Sequence, residues 1–152
     1  MKIKGLAFVA VAVLTVLFAG VMAVNAFSLG KYEKAKVSGG IVTIDTARLK
    51  DGKAHFYKLE EGGKEITFFA AKATDGSYKT AFDACDSCYK SKKGYEQAGD
   101  RMNCKNCNQK FAISKLGPNA TGGCNPGYLP SQVNGSTLSV KVEDIKNGAR
   151  YF

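Results

Sequence analysis

Five cysteines lie within a stretch of 40 residues, from Cys85 to Cys124, and they constrain the fold more than any other feature of the chain. Cys85 and Cys88 form one C-x-x-C pair, and Cys104 and Cys107 form a second pair after 15 intervening residues. Two residues between thiolates let a tight turn direct both sulfur atoms at one metal ion, and a second such pair completes a tetrahedron. The spacing therefore predicts two metal-binding loops that supply four cysteine ligands to one site.

Other uses of these cysteines remain open on the sequence. In an exported chain the two pairs could form structural disulfides, or one pair could be a redox dithiol of the thioredoxin kind. Covalent c-type haem attachment is excluded because Tyr89 and Asn108 stand where a histidine would follow each pair. The chain has one histidine, His55, so any metal site that needs two imidazoles is also excluded.

Two further sulfur-containing residues lie near the pairs. Cys124 belongs to the loop Gly122-Gly123-Cys124-Asn125-Pro126 and is a candidate for an additional or exchangeable ligand, a redox-sensitive thiol, or a small residue packed over the site. Met102 precedes Cys104 by two residues and is a candidate thioether ligand or a core residue. The sequence does not choose between these roles.

The N-terminus reads as a membrane-targeting segment. Lys2 and Lys4 precede an uncharged apolar stretch from Leu6 to Ala23. We expect residues 1–27 to form one hydrophobic helix that is either a signal peptide or a membrane anchor. Leu6 to Phe27 spans 22 residues, enough to cross about 30 Å of hydrocarbon, whereas Val24-Asn25-Ala26 fits a signal peptidase site. The expected location is the cell membrane, with the domain outside the cytoplasm on a single anchor, or export after cleavage.

Short β patterns occupy most of the remaining chain. Residues 28–39 are polar and basic and predict a tether, and residues 40–152 predict one β-rich metal-binding or iron-sulfur-binding domain. Turn signals recur roughly every ten residues, which is typical of antiparallel hairpins. We therefore predict a mainly β fold, a small antiparallel sandwich or open barrel. The strand candidates are Ile41 to Leu49, Ala54 to Leu59, Ile66 to Ala73, Tyr78 to Ala84 and Ser136 to Val142.

Charge and motifs exclude several function classes. Residues 1–26 contain two lysines and no acidic residue, so the rest of the chain has 20 basic and 13 acidic side chains. The basic residues are scattered and follow no nucleic-acid-binding motif, so no nucleic-acid partner is expected. The one cluster, Lys90, Lys92 and Lys93, is either a solvated surface or a docking edge for an acidic partner. No hydrolase or phosphate-binding motif is present, which favours a carrier or binding protein over an enzyme.

Several motifs occur in a fixed order around the cysteines. They are Asp75-Gly76, Ala81-Phe82-Asp83-Ala84-Cys85-Asp86-Ser87-Cys88-Tyr89, Lys93-Gly94-Tyr95, Gly99, Met102-Asn103-Cys104-Lys105-Asn106-Cys107, Phe111 and Gly122-Gly123-Cys124-Asn125-Pro126. Together they resemble the FtrD-like family of membrane iron-sulfur containing proteins, and the resemblance covers roughly residues 40–152. It implies a membrane-associated protein that holds an iron-sulfur centre through its cysteines and is linked to iron transport or electron transfer.

Zinc, a single iron and a [2Fe-2S] cluster all fit four thiolates, and another soft metal such as copper is a further alternative. Export as an unfolded chain opposes a preassembled cluster, whereas the resemblance favours iron. We expect an iron or iron-sulfur electron-transfer module linked to metal transport or respiration, with a redox or metal-transport protein as partner. The alternative is a non-redox interaction or metal-handling module with a structural four-cysteine zinc site.

Overall fold

Eleven short strands provide most of the regular structure in the computed structural model, which describes residues 30–152. One α-helix, α1 (Val142–Asn147), and four short 3₁₀-helical segments complete it. The mainly β prediction is confirmed, and the predicted N-terminal helix lies outside the described residues. The strands are β1 (Tyr32–Lys34), β2 (Val37–Ser38), β3 (Ile41–Asp45), β4 (His55–Glu61), β5 (Lys64–Lys72), β6 (Tyr78–Phe82), β7 (Tyr95–Ala98), β8 (Arg101–Cys104), β9 (Lys110–Ala112), β10 (Gln132–Asn134) and β11 (Thr137–Lys141). The 3₁₀ turns are Thr46–Asp51, Tyr89–Ser91, Ile113–Lys115 and Ala149–Tyr151.

The strands form three sheets. The central sheet has the order β1-β4-β5-β6, the outer sheet has the order β10-β11-β3-β2, and the cysteine sheet has the order β7-β8-β9. Strands β1 and β4 pair in parallel, and the other strand pairs are antiparallel. Turns at Gly62-Gly63 and Asp75-Gly76 connect β4 to β5 and β5 to β6. Within residues 30–152, none of the helices combines the length and the apolar character needed to span a membrane.

Strand β5 is buried on both faces, as its continuous apolar run predicts. Successive side chains of a strand point to opposite faces of the sheet, so Ile66 and Phe68 enter one core and Phe69 and Ala71 enter another. The first core lies between the central sheet and the outer sheet. The second core lies between the central sheet and the cysteine sheet. The central sheet is therefore the middle of three layers.

The two cores differ in composition. The first core is built from aliphatic and aromatic side chains, including Leu138 and Val140 of β11 and Ile145 of α1. The second core contains Cys85 and Cys104 beside residues such as Phe69, Tyr95 and Met102. Apolar side chains of the second core thus pack against the two buried cysteines and exclude solvent from the side that faces the central sheet.

The cysteine-bearing part of the chain leaves the central sheet and returns to it at one place. At the end of β6 the Phe82 amide donates to the Gly127 carbonyl over 2.8 Å, and Ala81 forms a β-bridge with Tyr128. Residues 83–127 therefore form an excursion whose two ends are hydrogen-bonded to each other. After the excursion, β11 pairs with β3, and Leu138 lies opposite Ile44. The scaffold of the first core is completed by residues that precede and follow the excursion.

Part of the segment predicted to be a tether is folded against the domain. Tyr32–Lys34 pairs with β4, and Val37–Ser38 pairs with β3. The preceding residue, Lys31, donates from Nζ to the carboxylate of Asp83 over 2.6 Å. The domain therefore begins nearer the N-terminus than the polar composition of this segment suggests, because the buried carboxylate of Asp83 needs a charged partner.

Candidate metal centre

The first cysteine pair follows the end of β6. The Tyr89 amide donates to the Cys85 carbonyl over 3.1 Å, which closes a tight turn around the pair. Within this turn the Cys88 amide donates to the sulfur of Cys85 over 3.2 Å. The turn then continues into the 3₁₀ segment Tyr89–Ser91. A backbone amide directed at a sulfur atom stabilises the thiolate form, which is the form that binds metal.

The second cysteine pair forms the hairpin turn between β8 and β9. Cys104 is the last residue of β8, and its amide donates to the Gln109 carbonyl over 2.9 Å. The Asn108 amide donates to the Cys104 carbonyl over 2.8 Å, and Asn108 has a positive φ of 60°. Asparagine tolerates this left-handed conformation better than most residues. The tight turn brings Cys107 back toward the side on which Cys104 lies.

A third loop contributes Cys124. The Ser87 amide donates to the Gly123 carbonyl over 3.1 Å, and the Gly127 amide donates to the Ala84 carbonyl over 2.9 Å. The hydroxyl of Tyr95 donates to the Cys124 carbonyl over 2.5 Å. These bonds fasten the loop to the first cysteine turn and to β7. The loop is thus held over the centre by contacts on both sides.

The structure brings the five sulfur atoms together from these three loops. Cys85, Cys88 and Cys104 have sulfur atoms within 4.8 Å of one another, and so do Cys88, Cys107 and Cys124. We call these the inner group and the outer group, and Cys88 belongs to both. The Cys88 and Cys124 sulfur atoms are 3.5 Å apart. All five thiols are free, so none is tied up in a disulfide bond.

Solvent exposure differs between the groups. Cys85 and Cys104 are each 1% exposed, whereas Cys107 is exposed and Cys88 and Cys124 are half-buried. Burial raises the pKa of Cys104 to about 11. A hydrogen bond from the Asn106 amide, 3.4 Å from the Cys88 sulfur, lowers the pKa of Cys88 to about 7. The contact with Cys107 raises the pKa of Cys124. Of Cys88, Cys104 and Cys124, the shared thiol Cys88 is therefore the one that loses its proton most readily.

Asp83 joins the first loop to its surroundings, a role the sequence did not reveal. Its buried carboxylate accepts hydrogen bonds from Lys31 Nζ, from the Tyr32 hydroxyl and from the Tyr95 amide, at 2.6, 2.5 and 2.6 Å. Burial raises the pKa of Asp83, and the Lys31 ammonium opposes that rise. The apolar residues around it, Phe82 and Ala84, were the available signal that it is buried.

Tyr95 links all three loops. It lies opposite Cys104 in the pairing of β7 with β8, its amide binds Asp83, and its hydroxyl binds the third loop. Burial raises the pKa of Tyr95, and its contact with Cys85 acts in the same direction. The phenol therefore stays protonated and remains a hydrogen-bond donor. Lys93-Gly94-Tyr95 is one of the motifs of the family resemblance, but the sequence alone did not predict the role of Tyr95.

The other candidate residues lie in different places. Met102 is completely buried in the second core. The side chains of Lys90 and Lys93 are exposed beside the first cysteine turn, and Lys92 Nζ reaches the Tyr151 carbonyl over 3.3 Å. His55 lies on β4, where its ring contacts the Asp51 carboxylate. A cavity of about 230 Å³ adjoins the inner group and is lined in part by Asp83, Cys85, Cys88, Tyr95 and Cys104.

Comparison with protein families assigns the chain at this point. Residues 49–152 match the family described as membrane iron-sulfur containing protein, FtrD-like. The chain belongs to this family. The matched range includes all three cysteine loops, the second core and the lysine cluster, while β1 to β3 precede it. No match to the chain was found among curated proteins. The family description is of a membrane-associated protein with an iron-sulfur centre.

The donor set of this FtrD-like chain fits such a centre. Thiolate is the usual ligand of iron in iron-sulfur clusters and of iron or zinc in four-sulfur sites. The Cys88 amide and the Asn106 side chain direct N–H groups at sulfur atoms, which is how proteins lower the charge on metal-bound thiolates. Cys85, Cys88, Cys104, Cys107 and Cys124 are the residues that would hold the group.

Proposed function

We propose that this protein is a membrane-associated electron-transfer module that carries iron or an iron-sulfur cluster and serves metal transport or respiration. The observation that carries the proposal is the convergence of five free thiols from three loops. When bound, iron supplies a one-electron oxidation and reduction. Thiolate ligands bind either iron or zinc, and the family description supports iron.

The burial of the thiols suits electron transfer. Cys85 and Cys104 are shielded by the second core, while Cys107 reaches the surface. A centre with one shielded side and one side near solvent can exchange electrons with a docked partner and still exclude water from its inner ligands. The apolar packing of Phe69 and Met102 behind the cysteines lowers the local dielectric. Low dielectric and hydrogen bonds to sulfur are among the factors that set the reduction potential.

Metal analysis of the full chain tests the proposal. The protein is purified in detergent without oxygen, and its iron, zinc and acid-labile sulfide contents are measured with its visible absorption and EPR spectra. We expect iron, a thiolate-to-iron absorption band, and an EPR signal that appears or disappears on one-electron reduction. A colourless protein that contains zinc and no iron would overturn the electron-transfer function and identify a structural zinc site instead.

The surface beside the first cysteine turn is the proposed docking edge for an acidic redox partner. Lys90 and Lys93 are exposed there, next to the half-buried Cys88. Positive charge beside the centre accelerates encounter with an anionic partner, and salt screens this effect. We expect oxidation of the reduced protein by ferricyanide to slow several-fold in the Lys90→Gln/Lys93→Gln variant at low salt. Lys141→Gln, which removes a charge from the outer sheet, is the matched control. Equal rates in both variants would reject this edge.

We further propose that residues 1–27 hold the protein in the cell membrane, or direct its export before cleavage, so that the metal domain lies outside the cytoplasm. The support is the uncharged apolar stretch after Lys2 and Lys4 and the membrane description of the family. Protease treatment of intact and lysed cells tests the topology. Digestion of the domain only after lysis of the inner membrane would place it in the cytoplasm and reject this orientation.

A further inference from the structure

The five sulfur atoms outnumber the four corners of a single tetrahedral metal site. The sulfur atoms that lie within 4.8 Å of one another form two groups of three, the inner group and the outer group. Both cysteines of the first C-x-x-C pair belong to the inner group, and Cys88 belongs to the outer group as well. The second pair is divided, with Cys104 in the inner group and Cys107 in the outer group. Cys88 is the one residue that belongs to both, and it stands between two buried and two more exposed thiols.

Each group of three has the dimensions of a metal site. Thiolates bound to one ion at about 2.3 Å are separated by about 3.8 to 4.0 Å, for tetrahedral or trigonal geometry. The sulfur atoms within each group are at most 4.8 Å apart, and those of Cys88 and Cys124 are 3.5 Å apart. A thiolate sulfur has more than one lone pair and can bind two ions at once. Cys88 is placed to do so, because it is a member of each group.

Charge also favours more than one ion. A single divalent cation in a cluster of five thiolates leaves three negative charges unbalanced, whereas a second divalent cation leaves one. Like charges held a few ångströms apart repel strongly, and desolvation by the second core increases that repulsion. A single tetrahedral ion would also leave one of the five thiols in contact with the cluster but without a metal bond. Two ions use every thiol that the three loops bring together.

We propose that the centre holds two metal ions, an inner ion on Cys85, Cys88 and Cys104 and an outer ion on Cys88, Cys107 and Cys124, with the Cys88 sulfur bridging them. This inference deepens the proposed function and rests on the metal-binding role stated there. The ions are of the class that thiolates select, such as divalent iron, zinc or cadmium, or monovalent copper. Because Cys107 is exposed and Cys85 and Cys104 are buried, the outer ion exchanges with solvent faster than the inner ion.

Cadmium is the probe for this arrangement because it binds thiolates and has a spin-active isotope. The full-length protein is stripped of metal, kept reduced, and titrated with ¹¹³Cd²⁺. We expect native mass spectrometry to show two cadmium ions per chain. We also expect two ¹¹³Cd resonances with a scalar coupling transmitted through the shared sulfur. Saturation at one cadmium per chain, or two resonances with no coupling between them, would overturn the proposal.

Cysteine variants assign the ions. Cys124→Ser should lose the outer ion and keep the inner resonance, so that the stoichiometry falls from two to one. Cys88→Ser should abolish the coupling. Where a variant fails to fold, the unaltered protein supplies an independent test: a chelator should remove cadmium in two phases, one ion at least tenfold faster than the other. Release of all cadmium in one phase contradicts an inner and an outer ion.

The outcomes separate this inference from the proposed function. A protein that takes up two coupled cadmium ions but is isolated with zinc and no iron retains the two-ion centre and loses the electron-transfer role. A protein isolated with iron that accepts one cadmium ion loses the two-ion centre and keeps that role. A protein that binds no metal loses both.

Discussion

The two faces of the central sheet are stabilised in different ways. On one face, the first core is a layer of aliphatic and aromatic side chains closed by β3, β11 and α1. On the other face, the second core is smaller, contains Cys85 and Cys104, and continues upward into the loops of the metal centre. The comparison teaches that one half of the domain can be stable through apolar burial alone. In the proposed function the other half would complete its packing with metal-sulfur bonds, which would couple its stability to its metal affinity.

The neighbouring residues Phe68 and Phe69 provide the largest test of this difference. Both are fully buried, and they point into the first and the second core respectively. Replacing either by alanine should lower the free energy of unfolding by about 3 to 5 kcal/mol, because the cavity is only partly refilled. Phe68→Ala should leave metal affinity unchanged in the molecules that remain folded. Phe69→Ala should weaken metal binding as well, since its ring supports the buried cysteines.

Urea unfolding with and without metal, together with a metal competition assay, measures both quantities. The comparison between the cores fails if the two variants weaken metal binding equally. It is sharpened if added metal restores part of the stability of Phe69→Ala and none of that of Phe68→Ala.

The buried carboxylate of Asp83 gives the next largest effect. Asp83→Asn removes a charge-assisted bond to Lys31 and weakens the bonds from Tyr32 and Tyr95. We expect the free energy of unfolding to fall by about 1 to 3 kcal/mol. Lys31→Met is the paired variant, because it leaves the same carboxylate buried without its cation. Unfolding midpoints that match the unaltered protein for both variants would show that this network does not hold the first cysteine loop.

Gly94 and Gly99 form a matched pair with nearly the same backbone conformation, at φ values of 65° and 64°. A Cβ at Gly94 would lie 2.6 Å from an Asp83 carboxylate oxygen, whereas a Cβ at Gly99 would meet open space. Alanine at either position incurs the cost of a positive φ, which is about 1 kcal/mol. Gly94→Ala should therefore lose more stability than Gly99→Ala, and should lower metal content. Equal thermal midpoints for the two variants would contradict the close approach of Gly94 to Asp83.

The smallest effect concerns an exposed ion pair on the side of the first core. Glu33 of β1 accepts two hydrogen bonds from Arg48, at 3.1 and 2.7 Å, and this contact lowers the pKa of Glu33. Glu33→Gln should lower stability by under about 1 kcal/mol at neutral pH because solvent screens the pair. Because folding lowers the pKa of Glu33, its ionised carboxylate stabilises the folded protein at pH values above the unfolded-state pKa, about 4.3. This stabilisation is lost as the pH falls through the lower pKa of the folded state. Urea midpoints at pH 7 and pH 3 test this, and a difference between variant and unaltered protein that persists at pH 3 would reject it.

Much of the fold could be predicted from local patterns. The alternation of β4, the apolar run of β5 and the glycine turns after them have short-range causes, and these strands form where the sequence indicates. The division into three sheets could not be predicted, because it depends on pairings between distant segments such as β11 with β3. The parallel strand β1 was also missed. Tyr32 is its one β-favouring residue, and the position of the strand depends on the parallel pairing with β4 and on the contacts of Lys31 and Tyr32 with Asp83.

The candidate site was partly visible in the sequence. The spacing of the four paired cysteines identified the two turns because a C-x-x-C turn is a local structure. The contribution of Cys124 remained one of three alternatives, since its loop reaches the other cysteines through backbone bonds to Ser87 and Ala84. The place of Cys107 in the outer group depends on its approach to Cys124, which lies on a different loop, so no local pattern encodes it.

The excursion of residues 83–127 departs and returns at a single hydrogen-bonded position, between Phe82 and Gly127. Its interior can therefore lengthen, shorten or exchange ligands over evolutionary time while the strand order of the supporting layers stays the same. A protein engineer could treat the excursion as an interchangeable cassette and insert a different coordinating segment between the same two endpoints.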